Sequence, residues 1–309
     1  MTLLFKSDIE RHDTWLPALQ KHLAGREVRL WPEVGEKADI EYALVWEPPE
    51  GFLATLPNLK AIFSIGAGID HIIADRKRPA HLPVVRMVED GLTAGMTEFV
   101  LMQVLYHHRF MLDFRAQAAQ RLWREIPAIP AGDRRVGILG LGVLGRDAAA
   151  KLATLGFDVA GWSRTPKEVA GVACYHGAEG LDAMLARSDI LVCLLPLTSE
   201  TRGILNAQLF AKLPRGACLI NVGRGAHQVE TDILAALDSG QLKEASLDVF
   251  ETEPLPADSP LWEHPRVVMT PHIASMTVPD TAARSVAENI ARIEAGQPPL
   301  NVVDFERGY

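Results

Sequence analysis

Cysteine is scarce: Cys174, Cys193 and Cys218 are the three among 309 residues. An odd set without C-x-x-C spacing excludes a disulfide framework and a cysteine-rich zinc site, and predicts reduced, buried thiols in a cytoplasmic protein. Long apolar runs are lacking too; none approaches the ~18 residues that a membrane span needs. The opening MTLLFKSDIERH carries Lys6 and Asp8, which predicts a first strand and turn where a signal peptide would stay apolar. A basic surplus is also missing. Lys and Arg number 31 against 39 Asp and Glu, a net charge of −8, which argues against a non-specific nucleic-acid binder. A small anionic ligand stays open, because a few local cations override the global sign. No H-E-x-x-H, nucleophile elbow or P-loop occurs, and no metal centre is expected.

What is present is an alternation. Hydrophobic residues make up 48% and charged residues 23%, the balance of a folded globular chain. At ~150 residues per domain the length predicts two domains. Short runs rich in Val, Ile and Leu alternate with helix-period segments, the pattern of parallel α/β architecture. Strands are predicted at 3–5, 28–30, 42–46, 61–64 and 84–87, with a helix at 14–23. A long helix without internal Gly or Pro is predicted over 96–120, and the breaker-rich stretch 126–132 follows it. Further strands follow at 135–139, 158–162, 190–194, 218–222, 245–249 and 267–270, most of them separated by helices such as 144–155 and 229–237. A last helix over 278–295 begins with Pro279 and Asp280 and stops at Gly296.

The strongest local motif is G-x-G-x-x-G, carried by Gly140-Leu141-Gly142-Val143-Leu144-Gly145. It follows an apolar strand and opens an amphipathic helix, the context in which such glycines bind a dinucleotide. Gly140 permits the turn, Gly142 lets a pyrophosphate approach the backbone, and Gly145 lets helix and strand pack closely. The helix N-terminus supplies amide donors for the phosphates. The next strand ends in Ser163-Arg164-Thr165 without a carboxylate. Asp158 lies five residues back, ~16 Å at strand rise. Two hydroxyls and a guanidinium suit a 2′-phosphate, so NADP(H) is the preferred cofactor, with NAD(H) the second.

Three polar residues sit where later strands end: Arg224, Glu253 and His272. Strand C-termini line the ligand crevice of a parallel sheet. Arg224 can fork onto a carboxylate and the neighbouring carbonyl oxygen. His272 can move the proton that accompanies hydride transfer. A carboxylate beside it, Glu253 or its competitor Glu251, would orient the imidazole and favour its charged form. In the first α/β unit, Ser64-Ile65-Gly66-Ala67-Gly68-Ile69-Asp70-His71 runs from a strand end into a helix. The amides of Ala67 and Gly68 would seat a substrate carboxylate, and Trp46 would wall the same crevice or merely pack at its strand tip. His107-His108-Arg109 lacks metal spacing and is expected on a polar helix face.

These residues resemble the D-isomer-specific 2-hydroxyacid dehydrogenase family. The resemblance rests on the glycine motif, Leu195-Pro196-Leu197-Thr198 with Thr201, Asn221-Val222-Gly223-Arg224-Gly225, Leu247-Asp248-Val249-Phe250 with Glu253, and Thr270-Pro271-His272-Ile273-Ala274. It places the catalytic roles on Arg224, Glu253 and His272, favouring Glu253 over Glu251. It adds Leu195, Pro196, Leu197, Thr198, Thr201, Val222, Gly223, Arg224, Asp248, His272 and Ala274 to the cofactor contacts, with Asp248 at the nicotinamide amide. Trp46, Gly66-Ala67-Gly68, Asp90-Gly91-Leu92, Met96, Glu98 and the tail 303–309 resemble the subgroup that reduces glyoxylate and hydroxypyruvate with NADPH.

The resemblance implies two Rossmann-like or flavodoxin-like parallel-sheet domains, the cofactor domain (99–285) inserted within the substrate domain (1–98 and 286–309). It also implies a homodimer and a cleft that closes on ligand. Two other readings compete: a related dehydrogenase for another 2-hydroxy acid, such as D-lactate, and a non-enzymatic nucleotide-sensing protein on the same fold.

Overall fold

The computed structural model describes residues 2–8 and 10–305, so the tail residues Glu306 to Tyr309 lie outside it. The chain forms two compact units, Met1–Leu92 with Met276–Tyr309, and Thr93–Ser275.

The first unit runs β1 (Thr2–Lys6), α1 (His12–His22), β2 (Glu27–Leu30), β3 (Ile40–Val45), β4 (Ala61–Ser64), α2 (Asp70–Ile73) and β5 (Val84–Val85). Its five strands are all parallel, in the order β2-β1-β3-β4-β5, a flavodoxin-like arrangement. Leu3, Leu4, Phe5, Ala43 and Leu44 are fully buried because both faces of the sheet are covered, which explains why these strands read as apolar runs without alternation.

The chain leaves this unit through α3 (Asp90–His108) and continues into α4 (Met111–Ala119). The expected helix over 96–120 is therefore two helices. Phe110 stands between them at φ 57°, in the left-handed region that ends a helix. Its ring lies under Lys243 Nζ at 4.7 Å and Arg134 Cζ at 5.8 Å. Those cations come from distant sequence, and no local Gly or Pro marks the break. At the other end, the Glu89 carboxylate accepts from the Gly91 and Leu92 amides, each at 2.6 Å, and so starts the helix upstream of the predicted position.

The second unit contains β6 (Arg135–Leu139), α5 (Val143–Thr154), β7 (Asp158–Ser163), β8 (Ala173–His176), α6 (Gly177–Ala186), β9 (Ile190–Cys193), α7 (Ala207–Phe210), β10 (Ala217–Asn221), α8 (Glu230–Ser239), β11 (Leu242–Leu247) and β12 (Val267–Met269). Its seven parallel strands take the order β12-β11-β10-β9-β6-β7-β8. The order reverses between β6 and β9, and a doubly wound sheet opens its ligand crevice at such a point, outside the strand C-termini. One face is covered by α3 and α5 through Val100, Val104, Ala148, Ala149 and Leu152. The other is covered by α6 and α8 through Met184, Leu185, Ile233 and Leu237.

The last helix, α9 (Pro279–Glu294), belongs to the first unit. It buries Ala282, Ala283, Val286 and Ile290 against Trp15 and Leu19 of α1. The ion pair Arg26–Glu294, at 2.6 Å, borders that contact.

Candidate active site

At the switch point, β6 passes into α5 through the glycine motif. Gly140 lies at φ 104°, and a Cβ there would come within 2.7 Å of the Leu194 carbonyl oxygen. A Cβ on Gly145 would lie 1.8 Å from Gly140 O, so the helix can pack on the turn only without a side chain. Gly142 differs: nothing lies within 4 Å of its missing Cβ. It caps α5 and contributes no side-chain hydrogen bond to the helix amides. An open surface above bare helix amides is what a pyrophosphate requires.

The neighbouring rim is polar. Ser163 is buried and its hydroxyl donates to Thr165 O at 2.8 Å. Arg164 is partly exposed, with Nη1 3.7 Å from Glu200 Oε2, an acid not singled out in the sequence. After β9, the loop carrying Leu195, Pro196, Leu197 and Thr198 is closed by Thr201. Its hydroxyl donates to Pro196 O at 2.7 Å and accepts from Thr198 N at 2.8 Å.

Successive strand ends carry the charged groups. After β10 the chain turns through Val222, Gly223 and Arg224. The Arg224 amide donates to His227 Nδ1 at 3.0 Å, and its guanidinium Nη1 donates to Gly223 O at 2.8 Å. After β12 comes His272, at φ 55°, a strained setting for a residue other than glycine. Asp248, after β11, organises that turn. Its Oδ1 accepts from Thr270 Oγ1 at 2.6 Å and Ile273 N at 2.9 Å, its Oδ2 accepts from Ala274 N at 2.9 Å, and its carbonyl accepts from His272 N at 2.8 Å. Burial pushes the Asp248 carboxyl above its usual range, against these donors. The family resemblance puts Asp248 at the nicotinamide amide, and no local sequence signal marks its place in the His272 turn.

The carboxylate that meets His272 is that of Glu253. Its Oε2 lies 2.7 Å from His272 Nδ1, and Oε1 accepts from the Phe250 amide at 2.9 Å. Burial raises the Glu253 carboxyl, but the His272 hydrogen bond, the Phe250 amide and the charges of His272 and Arg224 outweigh it. The net position is below the ordinary range. Glu251, the competitor, is exposed, and its backbone amide donates to Glu230 Oε1 at 3.1 Å. With Nδ1 held by Glu253, the free face of the imidazole is Nε2, and the side chain keeps 35% of its exposure, enough to meet a ligand.

In the first unit, Trp46 and the Gly66-Ala67-Gly68 turn come together at the ends of β3 and β4. A Cβ on Gly66 would lie 3.0 Å from Trp46 Cζ3, so the indole rests on the glycine. The indole also sits 4.3 Å from the His71 ring. Ser64 Oγ donates to Gly68 O at 2.9 Å and shapes the turn.

One expectation is overturned. His107 and His108 are buried, not on a polar face. His107 Nδ1 lies 2.7 Å from Glu244 Oε2 and Nε2 lies 2.8 Å from Ser246 Oγ, while His108 packs edge-on against Phe157. Cys218 completes a buried cluster with His107 and Glu244, yet burial pushes its thiol up to about 12. Both nitrogens of His107 are engaged within this network, while the buried Glu244 Oε1 has no hydrogen bond among the described residues and faces Lys243 Nζ at 3.4 Å.

The chain is similar to several known proteins. A family profile described as D-isomer specific 2-hydroxyacid dehydrogenase, NAD binding domain, matches residues 101–274. The glyoxylate/hydroxypyruvate reductase A of Yersinia enterocolitica is 43% identical over 314 residues, spanning 100% of both chains. A D-isomer specific 2-hydroxyacid dehydrogenase from Xanthobacter autotrophicus Py2, solved with NADPH and MES, superimposes with a TM-score of 0.97 at 48% identity. That match covers 100% of this chain and 99% of that one. An NADPH-dependent glyoxylate/hydroxypyruvate reductase from Sinorhizobium meliloti, solved with NADP and sulfate, gives 0.95 at 44% identity over 100% and 99% of the two chains. With the glycine turn, the arginine turn and the histidine–glutamate pair at strand ends of one parallel sheet, the chain belongs to the D-isomer specific 2-hydroxyacid dehydrogenase family.

Proposed function

We propose that the protein is an NADPH-dependent reductase of small 2-oxo acids, taking glyoxylate to glycolate and hydroxypyruvate to D-glycerate. The observation that carries this reading is the His272–Glu253 pair at 2.7 Å, in the same unit as the Gly140–Gly145 cradle. The relatives from Yersinia and Sinorhizobium bear that activity in their names, and the two solved structures hold NADPH and NADP.

The residues present fit the cofactor. The open surface at Gly142 would take the pyrophosphate, and Ser163, Arg164 and Thr165 the 2′-phosphate. Leu195 to Thr198, Thr201, Val222, Gly223, Asp248 and Ala274 would line the rest. When bound, NADPH supplies the hydride that reaches the carbonyl carbon. His272 delivers a proton from Nε2 to the carbonyl oxygen, so the 2-oxo acid leaves as a 2-hydroxy acid. Glu253 holds the imidazole at Nδ1 and balances its positive charge before transfer. Arg224 binds the substrate carboxylate and the carbonyl oxygen, drawing electron density from the carbon under attack. The Gly66-Ala67-Gly68 amides and Trp46 are assigned substrate contacts by their chemistry alone. On this reading the second unit is the cofactor domain and the first the substrate domain.

A homodimer is part of the reading. Met102 and Leu105 on α3, Met111 and Phe114 on α4, and Leu122 are large apolar side chains left at least 37% exposed, and Trp123 is 98% exposed. Apolar surface of this extent favours association. The cytoplasm is the proposed compartment, consistent with the unpaired Cys174, Cys193 and Cys218. Among the described residues no helix is long and apolar enough to cross a membrane. The test is oxidation of NADPH and of NADH by glyoxylate, hydroxypyruvate, pyruvate and longer 2-oxo acids, with sedimentation of the protein and of Trp123→Glu for the dimer.

A further inference from the structure

We propose that Asn221 is the positioning residue of Arg224: a buried carboxamide clamp that sets where the guanidinium meets the substrate. The inference deepens the functional reading above and rests on it. Asn221 closes β10 with no exposed surface, and both ends of its side chain grip the turn that follows. Oδ1 accepts from the Gly223 amide at 3.1 Å. Nδ2 donates to the Arg224 carbonyl at 3.2 Å and to Gln228 Oε1 at 2.9 Å.

Gln228 extends the grip to the neighbouring strand end. It is 3% exposed, and its Nε2 donates to the Val249 carbonyl at 3.1 Å. The next residue, Phe250, gives its amide to Glu253. Gly225 presses on the same place from the other side, where a Cβ would lie 1.8 Å from the Phe250 carbonyl. The turn bearing Arg224 is thus tied to the segment that holds the acid of the histidine pair.

The pattern calls for a carboxamide. One donor, the Gly223 amide, and two acceptors, the Arg224 and Gln228 oxygens, face the side chain; a carboxylate has no donor and a hydroxyl cannot reach all three. The Arg224 guanidinium leans back on the same turn through Gly223 O, so a shift of the turn moves the guanidinium with it. Misplacing a substrate-orienting group by ~1 Å costs up to ~10²-fold in rate.

The test is Asn221→Asp, nearly isosteric, which turns a donor into an acceptor against two oxygens. Oxalate, a planar dicarboxylate with no carbonyl to reduce here, serves as the probe, titrated calorimetrically into NADPH-loaded protein. The expected result is oxalate binding weaker by ~10-fold or more, with a higher KM for glyoxylate and a lower kcat. In an Arg224→Lys background the same substitution is expected to change oxalate binding less than about threefold, because a flexible ammonium tolerates a displaced turn. Equal losses in the two backgrounds, or unchanged binding by folded Asn221→Asp, overturn the proposal. If Asn221→Asp does not fold, Asn221→Ser carries the same comparison, with a loss of ~3-fold or more expected and none overturning it. Failure of the wild-type protein to oxidise NADPH with any 2-oxo acid sinks the functional reading and this proposal with it. A competent wild type with indifferent Asn221 variants sinks the clamp alone.

Discussion

His272 and Glu253 stand 19 residues apart in sequence and 2.7 Å apart in space, joined through Nδ1 and Oε2. The imidazole keeps that partner because the Phe250 amide and Asp248 hold the two turns rigid. Glu253→Gln removes the charge and keeps the shape. It should lower the reductive kcat by ~10²-fold, within the ~10²–10⁴ that positioned proton transfer supplies, while NADPH still binds. Stopped-flow turnover and cofactor titration check both halves.

The same pair has a pH signature. Glu253 is depressed in the folded protein, so at pH values between its folded and ordinary positions the unfolded chain binds more protons there. The pair's stabilisation is therefore complete above the ordinary carboxylate range, ~4.3, and is lost as pH falls through the folded value. Acid unfolding of the wild type should show a component that Glu253→Gln lacks, read as melting temperature against pH from 3 to ~6.

Arg224→Ala should cut kcat/KM for glyoxylate by ~10²-fold or more and leave NADPH affinity within a few-fold. Steady-state kinetics beside a cofactor titration separates the two. Near-normal turnover would remove Arg224 from the substrate.

Gly142 and Gly145 make opposite predictions although they belong to one motif. Gly145→Ala drives a Cβ to 1.8 Å from Gly140 O and should lower the melting temperature by ~6–12 °C, at ~3 kcal/mol of overpacking. Gly142→Ala meets nothing within 4 Å and should leave stability within ~2 °C. Its methyl occupies the proposed pyrophosphate surface, so NADPH affinity should fall ~10-fold or more. Calorimetry of the two variants, with and without cofactor, checks the contrast.

Arg164→Ser should lower the preference for NADPH over NADH by ~10–100-fold, the worth of one charge-assisted hydrogen bond. The ratio of kcat/KM for the two cofactors is the readout, and an unchanged ratio would remove Arg164 from the 2′-phosphate.

Much of this was legible because it is local. Strands buried on both faces read as apolar runs, and the glycine motif carries its own strand–turn–helix context. The break at Phe110 was not legible, since the cations around its ring come from Arg134 and Lys243. Nor was the burial of His107, whose partners Glu244 and Ser246 lie 137 and 139 residues away. Histidine on a helix looks polar until a distant strand supplies a carboxylate. Asp248 and Asn221 sat inside quoted motifs, but their structural work depends on turns formed by neighbouring strands.

Reductase activity is read from the loss of reduced-nicotinamide absorbance when purified protein meets glyoxylate or hydroxypyruvate with NADPH. Rapid oxidation with both acids, faster than with NADH and lost in Arg224→Ala, is the expected result. No oxidation of NADPH by any 2-oxo acid would contradict it.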